Sequence, residues 1–211
     1  MRALYAILIL CFGLLCACVR KPVSYPEAMM RAIYCMNAAP DSALRYLSEV
    51  SDSMLSLAPE ETRMYYGLLT IKAHDKLYHP HTSDSLIRSI VRFYDEYGDL
   101  HKRMEAYHYL GSVYRDLGDA PRAIKAYQEV VTLGEHTAEY DLLAKAYGQI
   151  GSLLHRQGLE EQAELMGRKE LECGMLEGDS AAVGYALRNI ARTFRDRNQA
   201  DSALFLLFRR I

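Results

Sequence analysis

One set of side chains recurs three times in the second half of this chain at a step of 40 positions, and it confines the fold to a stack of small repeated units. A large residue (Tyr107, Tyr147, Leu187) stands three positions before an aliphatic one (Leu110, Ile150, Ile190). A small residue follows at once (Gly111, Gly151, Ala191), then a second large one (Tyr114, Leu154, Phe194). Each block continues with a residue that tolerates positive φ (Gly118, Gly158, Asn198) and an alanine five positions on (Ala123, Ala163, Ala203). No single unit of this length can bury its own apolar face, so the units must cover one another.

Each position has a physical role. Large residues at i, i+3 and i+7 share one stripe of a helix, here called helix A of its unit. The small residue within the stripe lets another helix approach closely. Glycine or asparagine then marks the end of helix A, because these residues enter the left-handed region at least cost. The alanine opens helix B where the hairpin is tightest. Asp119-Ala120-Pro121 places a proline in a first helical turn, and Asp201-Ser202 supplies capping oxygens. Gly134 and Gly174, again 40 apart, are expected to end helix B. No segment keeps the period-two alternation of a strand.

The string Tyr107, Leu110, Gly111, Tyr114, Gly118, Ala123 and Tyr127 resembles the tetratricopeptide repeat, with tyrosine in place of the usual first tryptophan. That repeat is normally about 34 residues, so longer helices are expected here. Gly167 and Leu207 depart from the aromatic at the Tyr127 position, and the closing proline is absent. Pro40-Asp41-Ser42-Ala43-Leu44 and Asp84-Ser85-Leu86-Ile87 extend the frame N-terminally, with Ala43 and Leu86 as helix B anchors. Across Tyr25–Ile211 the chain is similar to bacterial tetratricopeptide lipoproteins. The resemblance implies an all-α, right-handed α-solenoid of about five units, near 25–57, 60–98, 104–137, 138–177 and 180–211. The last is expected to be truncated, because its helix B stops at Ile211 and leaves Ala203, Leu204, Leu207 and Phe208 without a capping helix.

The N-terminus carries a second signal. Arg2 is followed by an apolar run over Ala3–Ala17, short for a membrane span and suited to a signal-peptide core. Leu15-Cys16-Ala17-Cys18 resembles a lipobox, which implies a leader over 1–17, lipidation of Cys18 and a linker over 18–24. An uncleaved anchor held by Arg20 and Lys21 is the competing reading. The expected location is the cell envelope, membrane-anchored by lipid and facing the periplasm.

Other classes find little support. With 25 basic and 27 acidic residues and a formal net charge of −2, nothing calls for nucleic acid. There is no G-x-S-x-G turn, P-loop or H-E-x-x-H, so neither catalysis nor a cofactor nor a small-molecule substrate is expected. His74, His79 and His81, with Asp75 and Asp84, match no helical metal-ligand spacing and suit a polar turn containing Pro80. His101 and His108 suit a solvated helix face. Cys35 and Cys173 fall in distant units, beyond disulfide reach, and suit small buried side chains.

A tetratricopeptide array implies a concave wall built from helix A, between the seam positions. The candidates are Glu105, His108, Ser112 and Arg115, then Lys145, Gly148, Ser152 and His155, then Tyr185, Arg188, Arg192 and Arg195. The wall grows more basic toward the C-terminus, which suits an acidic peptide or chain terminus read by arginine forks. Two functions remain: an envelope-anchored protein-binding scaffold, and the sensory part of a signalling regulator whose output domain lies outside this chain.

Overall fold

The structure, a computed structural model, describes residues 24–199. The leader, Cys18 and the helix expected from Asp201, including Ala203, lie outside them. Ten helices follow one another with no strand among the described residues. They are α1 (Glu27–Cys35), α2 (Pro40–Ser48), α3 (Asp52–Leu57), α4 (Glu60–Lys76), α5 (Ser85–Tyr97), α6 (Leu100–Asp116), α7 (Ala120–Gly134), α8 (Tyr140–Arg156), α9 (Glu160–Glu177) and α10 (Ser180–Asp196). Helices α1 and α2, α4 and α5, α6 and α7, and α8 and α9 are the A and B members of four hairpins, and α10 is the A helix of a fifth. Each B helix packs on the next A helix, and A helices also touch the next A helix. The molecule is an α-solenoid.

The apolar columns are those of the repeat. In α2, α7 and α9 the alanine anchors Ala43, Ala123 and Ala163 are buried, followed four and seven residues on by Leu47 and Val50, Tyr127 and Val130, and Gly167 and Glu170. Three clusters of buried side chains, centred on Leu47, Ile90 and Tyr127, run along the stack from α1 to α9. Each hairpin thus shares its core with its neighbour, as a one-dimensional stack requires. The turn after helix A is left-handed where glycine or asparagine stands: φ is 77° at Gly118, 74° at Gly158 and 59° at Asn198. Asp119 caps α7 by accepting a hydrogen bond from the Arg122 amide at 3.0 Å, with Pro121 in the first turn.

Three features differ from the sequence expectation. The buried anchor of α5 is Ile87, fully buried, while Leu86 is 48% exposed. The long linker before α5 shifts the register by one residue, and Tyr78 takes the positive φ (57°) that glycine takes elsewhere. Gly174 does not end α9, which continues to Glu177 and stops at Gly178 (φ 74°). A Cβ at Gly174 would lie 3.2 Å from the Val183 backbone, so this glycine admits α10 rather than terminating a helix. The short α3, capped by the Ser51 hydroxyl, has no counterpart in the repeat frame. None of the described helices is long and apolar enough to cross a membrane.

Candidate functional site

The A helices α4, α6, α8 and α10 lie side by side and line two adjoining cavities of about 590 and 510 Å³. Asp75, Lys76 and Gln149 border both, so the cavities form one groove along the inner wall. Of the wall candidates, Arg115 lines the first cavity, and His108, Lys145, Gly148, Ser152, Tyr185, Arg188 and Arg192 line the second.

Ser112, Glu105, His155 and Arg195 are placed otherwise. Ser112 is fully buried and lies 3.3 Å from the Tyr127 hydroxyl, so it belongs to the core. Glu105 is buried and ion-paired with Lys72. His155 sits at the edge between Glu160 (2.8 Å) and Asp196 (3.4 Å). Arg195 is exposed and turned to Asp196 at 2.7 Å. Each of these four side chains is held by a partner of its own outside the groove lining.

At the N-terminal end Arg115 is fully engaged. It donates to Asp75 and Asp116 at 2.8 Å each and to Gln149 at 3.3 Å. Asp75, His81 and Asp116 have ligand-type atoms within 4.8 Å of one another, but the guanidinium already supplies the cation that these carboxylates need. His81 adds a backbone N–H to Asp116 at 3.1 Å, and burial lowers its imidazole pKa. His74 meets His79 through their Nδ1 atoms at 3.2 Å. The histidines of this turn pair with one another and with the end of α6.

The C-terminal end is different. Arg188 stacks over the Tyr185 ring, 4.7 Å from its centroid, and Arg192 reaches Asn189 at 3.4 Å. Among the described residues no carboxylate lies within ion-pair distance of either guanidinium, and Arg192 Nε is buried without a partner. Of the acids nearby, Asp141 is paired with Lys145 at 2.6 Å, Asp179 accepts from the Ala181 and Ala182 amides at the start of α10, and Glu170 accepts from Asn189 at 3.0 Å through one of its two oxygens. Lys76 is pushed below the usual lysine range, by burial first and then by Lys145 and Lys72. Lys76, Lys145, Arg188 and Arg192 face Asp75, Asp141, Glu170 and Asp179 across this cavity, and the two arginines are the cations with no carboxylate in ion-pair distance.

His108 corrects the solvated-face expectation. It is 6% exposed, its Nδ1 has no partner, and burial lowers its pKa to about 4, so the ring is neutral near pH 7. His101, on the same helix, is exposed and meets Glu139 at 2.7 Å. The groove also contains residues outside the wall positions read from the sequence, among them Asn189 and, from the B helix α9, Glu170. Glu170 stands in the column of Val50 and Val130, and a glutamate among valines was the signal available.

Residues 102–173 match the family model of the tetratricopeptide repeat. The chain contains tetratricopeptide repeats. Its fold is similar to several solved structures. The kinesin light chain tetratricopeptide-like repeats of Podosopora anserina align at 16% identity with a TM-score of 0.61, over 85% of this chain and 89% of that one. The apo form of RapI aligns at 12% identity and TM-score 0.68, over 85% and 66%. MamA aligns at 17% and 0.51, over 88% and 92%. At such identities the likeness is one of fold. No curated protein matches this chain by sequence.

Proposed function

We propose that this tetratricopeptide protein is a non-enzymatic scaffold that holds an acidic segment of a partner protein in its inner groove. The observation that carries the reading is the pair Arg188 and Arg192. Both line the 510 Å³ cavity, and neither has a carboxylate within reach among the described residues. A guanidinium fork left without an anion in a half-enclosed groove is suited to bidentate capture of a carboxylate. The ring of Tyr185, stacked on Arg188, adds a flat apolar contact beside the pair. The lipobox-like Leu15-Cys16-Ala17-Cys18 supports attachment to the bacterial cell envelope through a lipid on Cys18, with the groove facing the periplasm.

The groove is tested with a bead-bound library of random heptapeptides offered to the purified full chain. Enrichment of Asp and Glu among bound beads is expected, with loss or reversal of that preference in the Arg188→Glu, Arg192→Glu double variant. An unchanged preference in the double variant would refute the assignment. The anchor is tested by the intact mass of protein extracted from membranes. A chain starting at Cys18 with three acyl groups is expected, and an unlipidated chain that keeps Met1 would overturn it.

A further inference from the structure

The groove floor contains a carboxylate that neither the repeat nor the capture of acidic segments explains. Glu170 occupies the helix B position that holds Val50, Tyr94 and Val130 in the other hairpins, all buried. Its own side chain is only 7% exposed. It reaches the groove because the wall position in front of it is Gly148, where the preceding units carry Leu68 and His108. A Cβ on Gly148 would lie 2.6 Å from Glu170 Oε1 and 2.9 Å from its carboxyl carbon. The glutamate carboxylate therefore fills the space of the missing wall side chain, and the two departures from the repeat fit each other.

The carboxylate is half satisfied. Oε2 accepts from Asn189 Nδ2 at 3.0 Å, while Oε1 has no hydrogen-bond donor and no cation within ion-pair distance among the described residues. Burial raises its pKa, against the opposing influence of Asn189, Arg188 and Arg192. His108 Nδ1, a buried polar atom of a residue bordering the same cavity, is without a partner. A buried anion in place of a valine is costly unless it meets a cation or donor. Arg188 and Arg192 line the same cavity but neither lies within ion-pair distance of it.

We infer that Glu170 and Gly148 form a subsite for one primary ammonium group, in the same cavity as the two arginines that take the neighbouring carboxylates of the same bound segment. The inference rests on the acidic-segment reading and adds to it. The partner segment has a positive group within its acidic stretch, supplied by a lysine side chain or by a free amino terminus. Oε1 accepts from the ammonium, and His108 Nδ1 offers a second, neutral acceptor in one of its tautomers. A purely acidic ligand would instead be repelled by Glu170, so the two ligand classes respond oppositely to loss of this one charge.

The heptapeptide library is made with free and with acetylated amino termini, and bound sequences are resynthesised for fluorescence anisotropy against the full chain. Expected hits carry a lysine beside Asp or Glu in the acetylated pool, or a free terminus beside Asp or Glu in the free pool. Replacing that lysine by norleucine, or acetylating that terminus, should weaken binding about tenfold. Glu170→Gln keeps the acceptor for Asn189 and should weaken the parent hit about tenfold while binding the amine-blocked hit as well as wild type does. Gly148→Ala retains the charge but displaces the carboxylate, and should mimic Glu170→Gln; melting curves of both variants verify the fold. Acidic hits that need no amine, or that bind Glu170→Gln as well as or better than wild type, would overturn the inference and leave the acidic-segment reading standing. No enrichment of acidic residues would bring down both.

Discussion

Replacing Gly111 by alanine sets two effects of similar size against each other, and the packing decides the sign. In a helix interior, glycine to alanine gains about 1 kcal/mol of helix propensity. At Gly111, however, the new Cβ would lie 2.6 Å from Tyr127 Cε1 and 2.7 Å from Cδ1 and Cζ. No carbon pair tolerates this, so the ring or one of the helices α6 and α7 must move. Tyr127 is fully buried, with its hydroxyl 3.3 Å from Ser112 and its ring 5.4 Å from the His108 ring centroid. It has no room to retreat. Overpacking of a filled core costs about 1–3 kcal/mol, and three sub-contact distances to a pinned ring put this case at the upper end. The expected net loss is about 1–2 kcal/mol after the propensity gain. Gly184→Ala is the control. Gly184 lies within α10 with nothing within 4 Å of its would-be Cβ, so only the propensity term acts, and about 1 kcal/mol of stabilisation is expected. Urea titrations followed by circular dichroism measure both. If Gly111→Ala stabilises as much as Gly184→Ala, then close approach is not what the small residue of the repeat provides.

Two further outcomes concern buried ionisable groups in the groove. Burial raises the Glu170 pKa, so the folded chain holds that proton to higher pH than the unfolded chain and loses stability as pH rises through the folded value. Glu170→Gln should therefore melt above wild type at pH 7, and the difference should close as the pH falls below about 4. A Glu170→Gln protein that melts lower at pH 7 would show that the carboxylate has a favourable partner in the free groove. His108 is lowered from 6.5 to about 4, so its contribution is present above pH 6.5 and is lost as pH falls toward 4. His108→Leu, with the residue found at Leu68 in the preceding unit, should remove up to about 3 kcal/mol of that acid-side loss. Parallel acid melting profiles for the two proteins would refute the assignment.

The frame of the fold was legible because the repeat states each structural decision more than once. The left-handed turns at Gly118, Gly158 and Asn198, and the buried anchors Ala43, Ala123 and Ala163, stand where the columns place them. The misreadings arise where a decision is made only once. The linker containing Pro80 resets the register, so Ile87 and not Leu86 faces the core. The end of α9 is set by Gly178, outside the column of Gly134, because Gly174 serves the approach of α10 instead.

The groove was only partly legible, for a reason that lies in the geometry of stacking. A column of equivalent positions is a property of one helix, whereas burial is a property of two or three. Ser112 and Ser152 are the same letter in the same column, yet Ser112 is fully buried beside Tyr127 and Ser152 borders the groove. In α9 the residue at the Tyr127 position is Gly167, whose would-be Cβ lies 2.8 Å from Ile190 Cγ1, so no ring hydroxyl is there to meet Ser152. Glu170 escaped notice for the complementary reason. It is conspicuous only when its own column is read together with that of Gly148, on a different helix. In a stack whose units share one packing solution, a single departure is a defect that neighbours must absorb. Two departures that occupy the same space, a deleted wall side chain and a carboxylate reaching through the gap, relieve each other sterically but leave a buried charge. That residual electrostatic cost, which packing alone would have removed with a valine, is what singles out this point of the wall for a ligand.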